Sequence, residues 1–413
     1  MSKPLDGIRI LDFTQFMSGP MCTLLLSDFG AEVIKIENPP IGDNTRYGPV
    51  IDSNVSSHFA SRNRGKKSIL LNMKEAAHKD LFLALVKTAD AVVENYKPGT
   101  MEKFGITYDL LKSINPKIVY TSISGYGQTG PYADHAAFDQ TVQAESGVMS
   151  ITGERGGNPV KCGSSIADYS GGLMACIGTL MGIVEAKQTG HGRRVDISMM
   201  DSLIFSLENQ LSTYMRTGNV PKPNGNGYAT SAPIGAFECK DGKSLMISVG
   251  TDAQWKTFTE VLNQPQWFEN PDYSTMTLRA QNAREIDAEV AKVFKQYTSD
   301  ELAEMLQARH CVYGRINDFA AVADHPQVAH RNTMVNATYP NGVTFKVPGN
   351  PILMSDLDRQ TEYDVTPLGQ NTFEILSEVA DEATLHEIFD PVLAKSKEAT
   401  DAIYAKSKYP STV

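Results

Sequence analysis

Two hydrophobic periods alternate along the first half of the chain, and this alternation is the strongest constraint on its fold. Strand-like apolar runs are separated by segments with helical spacing, such as Ala76 to Thr88. Strands joined by helices of about three turns need crossover connections and therefore a parallel sheet. The sequence predicts a Rossmann-like α/β domain. Its predicted strands are Ile8 to Phe13, Glu32 to Glu37, Ser68 to Asn72, Ala91 to Asn95, Ile118 to Ser124 and Arg194 to Ser198.

The two most apolar helical segments come near residue 200. One is predicted from Gly171 to Lys187, and a second runs from Met200 to Arg216. The longest nearly apolar stretch, Gly171 to Val184, has 14 residues, which is too short to span a bilayer, so no membrane association is expected. The second helix is predicted to bury one face. That face comprises Leu203, Ile204, Leu207, Leu211 and Met215.

The pattern changes after residue 217, where glycine, proline and asparagine mark a loop. Beyond it, Ala236 to Cys239 and Leu245 to Val249 flank Lys-Asp-Gly-Lys, a hairpin signal. A length of 413 residues fits two or three domains. We predict a large domain over 1–219, a smaller α+β domain over 220–330, and a C-terminal segment, 331–413, that returns to the large domain.

Composition excludes several classes of function. With 38 Lys and Arg against 48 Asp and Glu, the net charge is −10, which argues against binding nucleic acid. The five cysteines and eight histidines are scattered, so neither a disulfide framework nor a metal site is expected. No G-x-S-x-G elbow and no Walker A motif occur. The N-terminus lacks the apolar core of a signal peptide, and a soluble, cytoplasmic protein is expected.

Gly125-Tyr-Gly-Gln-Thr-Gly130 matches the dinucleotide fingerprint G-x-G-x-x-G and follows a predicted strand. That motif requires a helix directly after it, because the helix amides hold the pyrophosphate. Here Pro131, Tyr132 and Asp134 follow instead. We interpret the motif as an ordinary strand-end loop and expect no NAD.

Asp168 is the candidate for chemistry. It follows a polar, turn-rich segment and precedes the predicted Gly171 helix, where the helix dipole favours an ionised carboxylate. We expect Gly171 and Gly172 to leave its surroundings sterically open. An accessible carboxylate is a competent nucleophile toward an activated acyl group. Local features alone favour a simple helix N-cap over catalysis.

Ordered motifs along the chain favour catalysis. They include Pro4-Leu-Asp-Gly-Ile-Arg-Ile-Leu-Asp-Phe-Thr14, Phe29-Gly-Ala-Glu-Val-Ile-Lys-Ile-Glu37, Val93-Glu-Asn-Tyr-Lys-Pro-Gly99, Ser124-Gly-Tyr-Gly-Gln-Thr-Gly-Pro131, Ala167-Asp168 and Thr189-Gly-His-Gly-Arg-Arg-Val-Asp-Ile-Ser198. In these the chain resembles the class III CoA-transferases of the formyl-CoA and carnitine-CoA transferase type. The resemblance covers nearly the whole chain and is densest over residues 5–200.

The resemblance implies that Asp168 attacks an acyl-CoA thioester to form an anhydride and then an aspartyl-CoA thioester. CoA would pass from an acyl-CoA donor to a small carboxylic acid. It also implies a set of CoA-contacting positions, of which Asp139 has the least certain role. The set is Met17, Ser18, Leu71, Asn72, Met73, Lys74, Tyr96, Lys97, Lys103 and Asp139. Asn38 stands where formyl-type members carry an arginine.

Similar enzymes form interlocked, ring-like homodimers, and a glycine-rich loop of the small domain closes over the site. The nearest equivalent here is Asn224 to Ser231, which lacks the four-glycine run of formyl-CoA transferases. A related branch contains acyl-CoA racemases, which carry a proton-transferring histidine where Phe138 stands here. Phenylalanine cannot move a proton, so racemisation ranks below transfer unless His135 points into the site.

Overall fold

The first 124 residues alternate strands with helices, as predicted. The structure, a computed structural model, describes residues 2–48, 50–52 and 55–406. The elements of this stretch are β1 (Arg9–Asp12), α1 (Ser18–Asp28), β2 (Glu32–Glu37), a 3-10 turn (Asn44–Tyr47), β3 (Val50–Asp52), β4 (Val55–Ser56), α2 (Ser57–Asn63), β5 (Lys67–Leu70), α3 (Ala76–Val86), β6 (Ala91–Glu94), α4 (Thr100–Lys103), α5 (Tyr108–Ile114) and β7 (Val119–Ser124).

The remainder is richer in helices. Its elements up to residue 217 are α6 (Asp139–Glu145), α7 (Val148–Ile151), α8 (Ile166–Thr189), β8 (Arg194–Ser198), α9 (Met199–Ser206) and α10 (Glu208–Thr217). Those that follow are β9 (Ile234–Glu238), β10 (Ser244–Ser248), α11 (Asp252–Val261), α12 (Pro265–Glu269), a 3-10 turn (Pro271–Tyr273), α13 (Met276–Gln281), α14 (Ala283–Phe294), α15 (Ser299–Ala308), β11 (Tyr313–Arg315), α16 (Phe319–Ala323), α17 (Pro326–His330), β12 (Met334–Thr338), β13 (Thr344–Pro348), β14 (Glu362–Asp364), α18 (Thr372–Leu376) and α19 (Glu382–Lys406).

Six strands form one parallel sheet in the order β5-β2-β1-β6-β7-β8. Counted along the chain, this is third, second, first, fourth, fifth and sixth, which is the Rossmann strand order. Leu11 of β1 pairs with Ile34 on one side and with Val92 on the other. The predicted α/β class with a parallel sheet is confirmed. The strand order reverses between β1 and β6, and a ligand crevice is expected at that point.

The chain divides into two compact units. The first comprises residues up to Ser146, Cys162–Leu211 and residues from Pro326 onward. Its core joins Leu11, Ile34 and Val92 of the sheet to Leu376 and Phe389 of the last two helices. Distant parts of the sequence therefore share one hydrophobic core.

The second unit comprises Gly147–Lys161 and Ser212–His325. The predicted hairpin is present: β9 and β10 are antiparallel, with Leu245 opposite Phe237. Its core includes Trp255 and Phe294. Residues 147–161 belong to this unit, although the predicted boundary placed them before residue 219.

The predicted long helix over Met200 to Arg216 is wrong. The chain forms α9 and α10, which are separated at Leu207. Leu203 is fully buried, but Leu211 and Met215 are 41% and 75% exposed in the single chain. Spacing locates an apolar face, but it does not show which surface covers that face.

α8 begins at Ile166, five residues before its predicted start, and continues for 24 residues. By length and composition alone α8 could cross a membrane, whereas the 14-residue stretch from Gly171 to Val184 is too short to do so. Its buried residues, which include Gly172, Ala175 and Thr179, pack against α1 and the sheet, as in a core helix.

Candidate active site

A cavity of about 450 Å³ lies at the carboxyl ends of the central strands, where the strand order reverses. Its walls come from the segments that follow β1, β6, β7 and β8, together with the start of α8. This volume lies within the usual range for small-molecule sites. Asp168 lines it, so the candidate nucleophile has open space beside it.

The loop after β1 is fixed to the loop after β6 by Asn95. Its Oδ1 accepts a hydrogen bond from the Gln15 backbone N–H at 2.8 Å, and its Nδ2 donates to the Gln15 carbonyl at 2.8 Å. Nδ2 also donates to Ser18 Oγ at 3.3 Å, and Gln15 Nε2 donates to the Tyr96 hydroxyl at 3.3 Å. The two loops therefore present Met17, Ser18 and Tyr96 on one rigid wall.

Asp168 is the third residue of α8, in its first turn, and is not the N-cap. The N-cap is Ser165, whose side chain makes no capping hydrogen bond. The prediction that Asp168 precedes the helix is therefore wrong, and so is the interpretation of Asp168 as a simple cap. Sequence rules miss this start because the first turn lies in the polar segment before the apolar run.

The buried Asp139 carboxylate caps α8 from another part of the chain. Its Oδ1 accepts the backbone N–H of Ala167 at 2.8 Å and that of Asp168 at 3.5 Å. Its Oδ2 accepts from Gln143 Nε2 at 2.6 Å, and Gln143 Oε1 accepts from the Cys162 N–H at 2.8 Å. Asp139 and Gln143 thus hold the chain on both sides of the 162–168 turn and orient Asp168.

Burial raises the pKa of Asp168 to about 6, and the negative charge of Asp139 adds to the increase. The charge of Arg62 and a backbone hydrogen bond from Ser18 act in the opposite direction, with smaller effect. A carboxylate in the first turn of a helix usually has a lowered pKa because of the helix dipole. Here Asp139 already neutralises that end of α8, so Asp168 remains basic.

Gly171 and Gly172 allow close packing and do not leave open space, contrary to expectation. A Cβ on Gly172 would lie 2.5 Å from the Ser18 carbonyl oxygen, and one on Gly171 would lie 2.9 Å from Met199 Cγ. Both glycines are buried. They let α8 approach α1 and α9 closely, which brings Asp168 near the loop after β1.

The structure brings about half of the predicted site residues together. Met17, Ser18, Tyr96, Lys97 and Asp139 line the cavity with Asp168. The other five predicted CoA contacts, at positions 71–74 and 103, are not among its lining residues, and their role stays a prediction. Leu71 and Met73 are core residues, Asn72 accepts the Lys74 N–H at 3.1 Å, and Lys103 ends α4.

Sequence reasoning missed an aromatic wall. Phe16 and Phe138 are 45% and 66% exposed, line the cavity, and meet edge to face at 6.4 Å. His135 also lines the cavity and stacks on Tyr132 at 4.4 Å. The only signal in the sequence was the clustering of aromatic residues around His135, which also fits a core.

The G-x-G-x-x-G segment is a strand-end loop, as interpreted. Gly125 directly follows β7, and a Cβ there would lie 2.1 Å from the Ala137 side chain. The loop continues to Phe138, and α6 begins at Asp139. Within residues 2–48, 50–52 and 55–406, no group of three or more His, Cys, Asp or Glu side chains has a metal-binding arrangement.

The fold and the cavity define an α/β enzyme of Rossmann topology with a partly buried carboxylate in its site. The profile of CoA-transferase family III matches residues 5–372, and the chain belongs to this family. It is therefore a CoA-transferase, an enzyme that uses CoA thioesters as substrates.

Proteins related in sequence or in structure match this chain over most of its length. Human succinyl-CoA:glutarate CoA-transferase is 34% identical, over 91% of this chain and 86% of its own. Acetyl-CoA:oxalate CoA-transferase of Acetobacter aceti is 35% identical, over 88% and 92%. The crystal structure of a CaiB/BaiF family protein from Brucella suis matches with a TM-score of 0.81 and 32% identity, over 92% of this chain and all of that one.

Proposed function

We propose that the enzyme moves CoA from an acyl-CoA donor to a small carboxylic acid, with Asp168 as the covalent nucleophile. The observation that carries this proposal is a basic carboxylate facing a cavity while another carboxylate, Asp139, satisfies the helix amides. A pKa of about 6 keeps Asp168 ionised near neutral pH and leaves it more basic than an ordinary aspartate.

The proposed reaction has four substitution steps and no redox change. An Asp168 oxygen attacks the thioester carbonyl, the C–S bond breaks, and CoA thiolate leaves an acyl–aspartyl anhydride. The thiolate then attacks the aspartyl carbonyl, which releases the donor acid and forms an aspartyl-CoA thioester. The acceptor carboxylate displaces the thiolate to form a second anhydride. Thiolate attack on its acceptor carbonyl gives the new acyl-CoA and regenerates Asp168.

Both kinds of intermediate react with water, so the proposal needs a closed site during turnover. The predicted closing loop, Asn224 to Ser231, lies in the second unit. It is anchored at its start, where Arg155 Nε donates to Asn224 Oδ1 at 2.8 Å and Gly225 N–H donates to the Gly153 carbonyl at 2.8 Å. Its closure over Asp168 stays a prediction.

Covalent capture tests the proposal directly. Hydroxylamine attacks the aspartyl-CoA thioester at its carbonyl, so CoA leaves and the side chain becomes a hydroxamate. We expect incubation with an acyl-CoA and hydroxylamine to modify the peptide that contains Asp168, as measured by mass spectrometry. The peptide that contains Asp201 serves as an internal control, because this exposed aspartate also occupies the first turn of a helix.

Donor screening should cover short-chain and dicarboxylic acyl-CoAs with a panel of acids. An enzyme that transfers CoA while its Asp168 peptide remains unmodified would contradict covalent catalysis. Equal modification of both aspartates would show non-specific acylation and would also count against the proposal.

His135 supports a second candidate, an acyl-CoA racemase, because it lines the same cavity as Asp168. A His and Asp pair can remove and return an α-proton. In D₂O without an acceptor acid, a racemase would incorporate deuterium at the α-carbon of a 2-methylacyl-CoA. The transferase proposal expects no incorporation above that of the His135→Ala variant.

We further propose that the enzyme is a homodimer, interlocked like the dimers of similar enzymes. The support is an apolar stripe along one face of α8, exposed in the single chain. It comprises Leu173, Ile177, Met181 and Val184, which are 44–67% exposed. A soluble monomer rarely leaves such a contiguous apolar face uncovered.

Charge placed on this stripe should disrupt the dimer. We expect Met181→Lys with Val184→Lys to halve the mass measured by sedimentation, or to give insoluble protein. Lys187→Met, at the exposed end of the same helix, is the matched control and should leave the mass unchanged. A wild-type monomer, or a dimer insensitive to the double substitution, would contradict the proposed interface.

A further inference from the structure

Arg62 is an exception among the buried cations of this protein. Six Lys and Arg residues are buried among the described residues, and five of them lie within 3.1 Å of a carboxylate oxygen. Those five are Lys35, Arg46, Arg64, Lys66 and Arg279. No Arg62 nitrogen lies within 4.0 Å of a carboxylate oxygen in the part of the chain that the structure describes.

An unpaired buried charge is costly, so its partner is expected to come from outside the folded chain. Leaving a buried ion without its counter-ion costs about 3–5 kcal/mol. Arg62 is only 8% exposed, and its charge acts on Asp168 and on His58. It lies near the candidate nucleophile without forming an ion pair with it.

The guanidinium has one nitrogen available to a ligand. Nη1 donates to the His58 carbonyl at 3.2 Å, and Nε is buried from solvent and has no hydrogen-bond partner among the described residues. Nη2 makes no hydrogen bond within the described residues and is not fully buried. His58, one turn earlier on α2, and Thr45 both line the cavity that holds Asp168. Arg62 itself is not among the lining residues, but it shares α2 with His58 and its guanidinium contacts the His58 backbone.

We propose that Arg62 binds the second, non-reacting carboxylate of a dicarboxylic substrate and so selects dicarboxylic over monocarboxylic acyl groups. This inference rests on the proposed function, because it assumes that the first carboxylate reacts at Asp168. A carboxylate matches the guanidinium in charge and geometry, and the charge-assisted hydrogen bond is strong in a water-poor site.

The same contact would disfavour monocarboxylic analogues. A substrate with a methyl group in place of the second carboxylate would bury Arg62 more deeply and leave it unpaired. A site built to bind a polar group discriminates strongly against the analogue that lacks it.

Hydroxylamine capture at Asp168 with a matched pair of donors tests this inference. Succinyl-CoA and butyryl-CoA have the same four-carbon chain, and only the first carries a second carboxylate. In the wild-type enzyme we expect capture from succinyl-CoA to be faster. We expect Arg62→Met to lower the second-order rate constant of capture, kinact/KI, by about 100-fold for succinyl-CoA, mainly through KI, and by less than about threefold for butyryl-CoA.

Two further variants keep the test decisive. Arg62→Lys retains the charge and is expected to lose only about tenfold with succinyl-CoA, and it serves if Arg62→Met does not fold in a thermal melt. Lys112→Met removes an exposed cation on α5 and should change neither rate.

The outcomes separate the two proposals. Transfer of CoA from a donor that leaves the Asp168 peptide of the wild-type enzyme unmodified would contradict covalent catalysis. Capture only from donors that lack a second carboxylate would overturn the role of Arg62. Capture of both donors at equal rates, or an unchanged ratio in Arg62→Met, would overturn the role of Arg62 and leave Asp168 as the nucleophile.

Discussion

Replacement of Asp168 by Asn should abolish CoA transfer, with a loss of about 10⁴-fold or more, while CoA binding remains nearly intact. The amide lacks the anionic oxygen that attacks the thioester, and the shape of the side chain is almost unchanged. A coupled assay for the new acyl-CoA and a binding titration with CoA measure the two effects. Residual transfer above about 1% of wild-type would exclude covalent catalysis by this residue.

The same substitution should stabilise the folded protein. The pKa of Asp168 is raised from 3.8 to about 6, so the folded state disfavours the ionised form. The destabilisation therefore develops as pH rises from about 4 to 6 and is constant above 6. After allowance for solvent screening, we expect Asp168→Asn to gain about 1–2 kcal/mol in unfolding free energy above pH 6 and almost nothing at pH 4.

Asp201 provides a matched control for the stability measurement. It is also the third residue of a helix, α9, but it is exposed and its helix has a Ser198 cap. Asp201→Asn should lose about 0.3–1 kcal/mol, because only the favourable dipole interaction is removed. Denaturant unfolding of both variants between pH 4 and 8 checks the opposite signs. A loss of stability in both variants would contradict the proposed electrostatics at Asp168.

Removal of the Asp139 charge should reduce the transfer rate and shift its pH dependence. Wild-type activity is expected to fall about tenfold between pH 7 and 5 as Asp168 becomes protonated. In Asp139→Asn the acid limb should move to lower pH, because a negative charge beside Asp168 is lost. At pH 8 we expect a loss of about 10- to 100-fold, because the turn that orients the nucleophile is misaligned.

The misalignment expected in Asp139→Asn comes from two hydrogen-bond donors that would face each other. Its new amide Nδ2 would face Gln143 Nε2, which now donates to Asp139 at 2.6 Å. Adding Gln143→Glu supplies an acceptor and restores the negative charge four residues away, one turn along α6. The double variant should regain much of the transfer rate, and its acid limb should move part of the way back to the wild-type pH. An unshifted acid limb in Asp139→Asn alone would show that Asp139 does not raise the pKa of Asp168.

Local pattern was sufficient to predict the sheet, whereas Asp168 was singled out only by the family resemblance that extends along nearly the whole chain. Alternating periods identify buried strands and crossover helices, and the ordered motifs identify the candidate nucleophile. The role of Asp139 was not accessible in this way. Its partner amides lie 28 and 29 residues away in α8, and only the packing of α6 against α8 brings them together.

The missing ion pair of Arg62 likewise could not be predicted from the sequence. In the sequence it is one of several basic residues between Arg62 and Lys67, which indicate a solvated, charged segment. In the fold, Arg64 pairs with Asp28 and Lys66 with Asp12, while Arg62 has no carboxylate oxygen within 4.0 Å among the described residues. Pairing is a property of three-dimensional neighbours, so no reading of composition separates these three cations.

The sequence by itself determined the Rossmann-like parallel sheet and the family to which the chain belongs, because these follow from periodicity and ordered motifs. Only the tertiary structure decided where α8 begins, that Asp139 caps it, and that Asp168 faces a cavity with a raised pKa. The physical reason is that burial, helix capping and charge pairing depend on residues distant in sequence that meet only when the strands and helices pack.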